Sequence, residues 1–148
     1  MRLNVVMAVL SARLAAIVDA LPLRPGMRVL EIGGAPGSAA RAVASRIGTG
    51  HVLVIDRSAS GVALIERNAR AEIDAGVLSA RHVAAEEFEL LAGEEPYDVA
   101  FAVRVGAFDG RHPEAGREAR RRVAAALVPG GRLFIDGGDP LRAIDLRG

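Results

Sequence analysis

Apolar residues along this chain follow two rhythms in alternation. Near the N-terminus Val6, Leu10, Leu14, Ile17, Val18 and Leu21 recur at helical spacing and predict an amphipathic helix. Arg13 and Asp19 interrupt that run, so it predicts neither a membrane span nor the apolar stretch of a secretory signal. Short, nearly continuous apolar runs then mark strands over 27–32, 51–55 ("HVLVI"), near 80–84, over 97–103 ("YDVAFAV") and over 132–136 ("RLFID"). Helical patterns fill the gaps. One covers 36–47, and one starts after a capping Ser58 and carries Val62, Ile65, Ala69 and Ile73 on a single face. A third opens at Pro113, carries the stripe Ala115, Ala119, Val123 and Leu127, and is stopped by "PGG" at 129–131.

Apolar strands separated by helices predict an α/β fold, an open parallel sheet with helices on both faces. At 148 residues the chain reads as one domain: an N-terminal helix within 1–24, a core over 27–136 and a short tail over 137–148. A hydrophobic share of 51% excludes disorder, and with aromatics at 3% the core must be built from aliphatic residues. All 19 basic residues are arginine and 18 acids offset them, leaving a net charge of +1 without the basic surplus of a nucleic-acid binder. "GREARRR" at 116–122 reads as a solvated helix face. The absence of cysteine excludes disulfides, thiolate metal sites and a cysteine nucleophile. His51 and His82 lie at strand edges without metal-ligand spacing, so no metal is expected. No membrane partner is expected either, and the address is taken as cytoplasmic.

Candidate chemistry concentrates in "VLEIGGAPGSAARAV", residues 29–43. A glycine-rich strand-to-helix turn in an open parallel sheet is where such folds bind ligands. Gly33, Gly34 and Gly37 allow tight backbone geometry and close approach, and the following helix offers free amides to anionic atoms. The dinucleotide fingerprint fails here, with Ala35 and Ser38 at two of its three glycine positions, and a phosphate loop would need a lysine the chain lacks. Glu31 suggests a ligand with positive charge near its anionic end. Its plainer reading is a pair with Arg28 or a tie for the turn.

"VLEIGGAPG" resembles the first motif of the class I S-adenosylmethionine-dependent methyltransferases, acid-x-Gly-x-Gly-x-Gly, with Ala35 where that family has its central glycine. "VLVIDRS" resembles the family's second strand, whose terminal acid grips the ribose hydroxyls. The resemblance gives that role to Asp56, which could instead cap the next helix. "HVAAEEFEL" falls at the third-strand position, where an acid contacts the adenine amino group, here Glu86 or its neighbour Glu87. "PYDVAFAV" and "AALVPGGRLFID" resemble the fourth strand and the helix, turn and fifth strand, so the likeness spans 27–136. It implies a Rossmann-like sheet of about five strands in the order 3-2-1-4-5, lacking the family's last two. It also implies S-adenosylmethionine as cofactor and S-adenosylhomocysteine as product. The contacts it assigns are Glu31, Gly33, Gly34, Ala35, Gly37, Asp56, Arg57, Ala85, Glu86 and Ala102.

A sulfonium already activates its methyl carbon, so the protein of such an enzyme mainly aligns a nucleophile and excludes water. Substrate-side groups are expected in "RVGAFDGRHP", residues 104–113, where Arg104, Asp109 and His112 are the catalytic candidates; the plainer reading of His112 is an exposed loop residue. The Asn/Asp-Pro-Pro-aromatic motif of amino-methylating nucleic-acid enzymes is missing, and without cysteine a covalent attack on cytosine is excluded. That leaves a small-molecule acceptor. A cofactor-binding but inactive or partner-dependent subunit is the alternative, and a nucleotide-binding protein of another kind is a third. Strand five, with Leu133, Phe134 and Ile135, is expected to present an open edge, because Pro140 opposes a further strand. The tail could cover it, or a second copy; the expectation is a homodimer through strand five or residues 4–21.

Overall fold

The computed structural model describes residues 10–146. Helix α1 (Ala12–Ala20) forms where the apolar spacing predicts it, with Ser11 as N-cap accepting a hydrogen bond from the Leu14 N–H at 3.1 Å. Ile17 and Val18 are its buried residues. Leu10 lies just before the helix and Leu21 is its C-cap, while Val6 lies outside the described residues.

Six strands make one sheet: β1 (Arg28–Ile32), β2 (His51–Asp56), β3 (Leu78–His82), β4 (Tyr97–Ala102), β5 (Leu127–Asp136) and β6 (Leu141–Ile144), in the order 3-2-1-4-5-6. The first five run parallel, as expected, and β6 is added antiparallel to β5. The five parallel strands stand in the expected order, and the expectation of an open edge at β5 is corrected by the added β6. Gly137 turns the chain at φ +107°, and Pro140 sits in the turn, outside the ladder that pairs Asp136 with Leu141 and Leu133 with Ile144. A proline there removes no ladder hydrogen bond.

Alternation along each strand sends neighbouring residues into two separate cores. Val29, Val52, Val54, Val99 and Phe101 pack on one face against Val18 of α1, Ala40 and Val43 of α2 (Ser38–Ala44) and Ile65 of α3 (Ala59–Asn68). Leu30, Leu53, Ala100 and Leu133 line up across four strands on the other face, against Ala119 and Val123 of α5 (Pro113–Ala126). Burying a Leu or Val side chain contributes roughly 1.5–3 kcal/mol, so aliphatic strands suffice where aromatics are scarce.

Several boundaries differ from those the pattern predicts. The helix after Ser58 breaks at Ala69, whose ψ of 26° leaves the helical range, and resumes as α4 (Arg70–Asp74). Helix α5 ends at Ala126, so Leu127 opens β5, and the Pro-Gly-Gly turn becomes a bulge inside that strand between the Tyr97–Leu127 and Val99–Arg132 pairs. Strand β3 begins at Leu78, earlier than expected. The Arg-rich face of α5 is tied locally, Glu118 pairing with Arg122 at 2.9 Å and with Arg121. Among the described residues no helix is long and apolar enough to cross a membrane.

Candidate functional site

At the C-terminal ends of β1, β2 and β4 the chain opens into adjoining clefts. One, of about 480 Å³, is lined by Gly33, Asp56, Arg57, Ala85, Glu86 and His112, among others. A second, of about 370 Å³, lies under α1 and is lined by Ser11, Arg13, Glu31, Gly34, Ala35 and Val103. Gly33 and Arg104 border both. Each falls within the range of about 300–1,000 Å³ typical of small-molecule sites.

Glu31 is the buried acid of this region, 3% exposed, and its Oε1 has no hydrogen-bond partner. Burial first, and the nearby Asp56 charge second, push its carboxyl up to about 8. The reading that pairs it with Arg28 fails. The Arg28 guanidinium points to the Pro96 and Glu95 carbonyls, at 3.3 and 3.2 Å, and stacks on the Tyr97 ring. A buried acid without a partner is costly, and a cationic ligand group in the second cleft would supply the missing partner.

The glycines of the turn do different jobs. Gly33 stands at φ +72° and Gly37, the N-cap of α2, at φ +103°, where a side chain would strain the backbone. Gly34 is bare for another reason, since a Cβ there would stand 2.7 Å from Glu31 Cδ and collide with Val54. Its lack of a side chain accommodates the protein's own acid, and Gly34 also borders the second cleft. Gly37 lines neither cleft and acts through the turn.

Asp56 accepts from the Ser58 N–H at 2.9 Å and from the Ala35 N–H at 3.3 Å. It therefore secures the entry to α3 and the glycine turn, and it also borders the first cleft. Glu86 sits in a short 3₁₀ turn, Ala85–Glu87, and lines that cleft together with Ala85, whereas Glu87 is exposed and does not. Ala102 is buried at the end of β4 and borders a third cleft, of about 470 Å³, instead of the first two.

Of the three catalytic candidates, His112 and Arg104 border the first cleft, and Asp109 does not. Asp109 is held by Arg111 in an ion pair at 2.7 Å. Arg104 adopts φ +58°, the one non-glycine with positive φ among the described residues. Its N–H donates to Asp136 Oδ1 at 3.0 Å while the Arg13 guanidinium donates to Oδ2 at 2.8 Å. Burial would raise the Asp136 carboxyl, but those donors outweigh it and hold the group below its ordinary value. Arg13 thereby joins α1 to the end of β5. The sequence reading passed over this role, because Arg13 registers only as a break in an apolar run and its partner is distant in the chain. Among the described residues no group of three or more His, Asp or Glu could hold a metal ion.

A family profile described as a methyltransferase domain matches residues 29–131, from the first strand through the Pro-Gly-Gly bulge. Compared by sequence with curated proteins, the chain matches none. Solved structures share the fold. An S-adenosylmethionine-dependent methyltransferase from Thiobacillus denitrificans in complex with S-adenosyl-L-homocysteine superposes with TM-score 0.66 at 25% identity, over 89% of this chain and 52% of that one. A putative methyltransferase from Thermoplasma acidophilum gives 0.61 at 20% identity, over 76% and 44%. Coclaurine N-methyltransferase bound to N-methylheliamine and S-adenosylhomocysteine gives 0.67 at 19%, over 84% and 34%. The chain thus spans about half the length, or less, of these structures.

Proposed function

The chain belongs to the class I S-adenosylmethionine-dependent methyltransferase family, and from that premise we propose that it binds S-adenosylmethionine across the two adjoining clefts and methylates a small-molecule acceptor. The observation that carries this reading is the pair of acids around the glycine turn: Glu31, buried with an unpartnered Oε1 beside the second cleft, and Asp56, which borders the first and whose charge adds to the rise of the Glu31 carboxyl. Two neighbouring acids beside adjoining clefts favour a ligand that brings positive charge and hydroxyl donors.

In this reading each residue has a physical task. Glu31 accepts from the ligand's ammonium and is returned to its charged form by it. Asp56 keeps its Ser58 and Ala35 contacts with some lone pairs and offers the others to the ribose hydroxyls, since an ionised carboxylate accepts about four hydrogen bonds. Glu86 faces the adenine amino group, Ala85 supplies apolar contact for the ring, and Arg57 borders the same pocket. Arg13 borders the second cleft, where a carboxylate end finds the guanidinium donors that Asp136 leaves unused. The cofactor supplies an electrophilic methyl carbon on a sulfonium. The chain's own contribution is to align an acceptor atom with that carbon and to keep water from it. His112, at the rim of the first cleft, is the side chain available to take a proton from the acceptor.

Titration calorimetry with S-adenosylhomocysteine and with a nicotinamide dinucleotide tests the proposal. The expected result is binding of the first alone, weakened about tenfold, or about 1.4 kcal/mol, by Asp56→Ala. No binding to the unmodified chain removes the proposal; unchanged affinity in a folded Asp56→Ala removes the ribose assignment.

A further inference from the structure

The third cleft lies between the ends of β4 and β5 and the start of β6, and its charge is unbalanced in a particular way. Its two acids are already engaged. Asp109 is held by Arg111 at 2.7 Å, and Asp136 accepts from the Arg104 N–H and from Arg13. Among the described residues the guanidinium groups of Arg104, just after β4, and Arg142, on β6, border the same cleft and have no acidic partner.

Neither arginine is placed by accident of the surface. Arg104 leaves the backbone at φ +58°, a conformation costing about 1–3 kcal/mol that persists only when its surroundings enforce it. Here the Asp136 carboxylate enforces it through the Arg104 N–H at 3.0 Å. Arg142 is carried in by the antiparallel return of the chain, paired with Ile135 one residue before Asp136. A guanidinium presents a planar fork of donors matched to carboxylate and phosphate oxygens. Arg104 and Val105 border the first cleft as well as the third, so a ligand anchored here extends toward the cofactor cleft.

We infer that this cleft recognises the oxyanion of the methyl acceptor, a small molecule bearing a carboxylate or phosphate group held between Arg104 and Arg142. The inference rests on the methyltransferase reading for the word acceptor, but the oxyanion site itself stands on the cleft. An anionic acceptor also gains from proximity to a cationic sulfonium, so the same charge that anchors it favours its approach to the methyl carbon.

The experiment titrates benzoate, phenyl phosphate and the neutral benzyl alcohol into the chain, alone and saturated with S-adenosylhomocysteine, by calorimetry and by amide chemical-shift mapping. Benzoate or phenyl phosphate is expected to bind and to shift the amides of residues 104, 136 and 142, and which of the two binds tighter identifies the oxyanion. Benzyl alcohol is expected not to bind. Arg142→Gln should weaken oxyanion binding at least tenfold while leaving S-adenosylhomocysteine affinity unchanged. Equal binding of the alcohol, full oxyanion affinity in Arg142→Gln, or shifts confined to other regions would overturn the inference. The shift map on the unmodified chain decides the matter even where that variant fails to fold. Failure of S-adenosylhomocysteine to bind, with oxyanion binding intact, would strike the proposed function and leave the oxyanion site standing.

Discussion

Gly34 has no side chain because Glu31 and Val54 fill the space one would need: a Cβ on Gly34 would stand 2.7 Å from Glu31 Cδ and 2.8 Å from its Oε1, and would collide with Val54 Cγ1. The φ of Gly34 is not in the left-handed region, so alanine there meets no backbone strain. In the absence of a collision, Gly→Ala would stabilise by about 0.4–1 kcal/mol through the unfolded chain. Gly34→Ala is instead expected to destabilise by about 1–3 kcal/mol, the usual cost of overpacking. Urea denaturation measures it. A variant as stable as the parent, or more so, would mean that the Glu31 and Val54 side chains are free to move away.

The raised Glu31 carboxyl makes stability depend on pH in a defined sense. In the folded chain it titrates near 8, against 4.5 for its ordinary value. Between those two values the unfolded chain has released the proton and the folded chain retains it, so stability falls as pH rises. The contribution is fully present below about pH 4.5 and lost by the time pH has passed through about 8, with a slope of up to about 1.4 kcal/mol per pH unit. Glu31→Gln cannot titrate. The unfolding free energy of the parent, taken relative to Glu31→Gln, is expected to decline through that window and to be flat below it. Parallel curves for the two proteins would show that Glu31 is ionised when buried.

Much of this was legible before any coordinates, and what was hidden was hidden for physical reasons. Val29 and Leu30, Val52 and Leu53, Val99 and Ala100 are apolar at successive positions because each strand is covered on both faces, and that signature is local. The position of Glu31 beneath the turn and of Asp56 at a strand end could likewise be read from neighbours. The purpose of Gly34 could not, since it is fixed by Glu31 and Val54, one of them on another strand. Arg13, Arg104 and Asp136 meet from three parts of the chain, and an arginine's partner leaves no trace in its local sequence. Pro140 misled in the opposite direction. It forbids a ladder position only for itself, and the strand resumes at the next residue.

Strand β6 supplies the last prediction. The expectation of a homodimer drew on an uncovered β5 edge, and Leu141–Ile144 covers that edge within the chain by pairing with residues 133–136. Strand β6 becomes the new edge, but it is only four residues long, and its Arg142 and Ala143 are exposed. Short, charged edges resist pairing with another chain, whereas Leu133, Phe134 and Ile135 would present a longer apolar edge if β6 were removed. Truncation after Asp139 is therefore expected to convert the protein into a self-associating species, seen by light scattering after size exclusion at micromolar concentration. The parent should give a smaller mass at the same concentration. Truncated and parent chains of equal association state would show that the β5 edge is not what β6 protects.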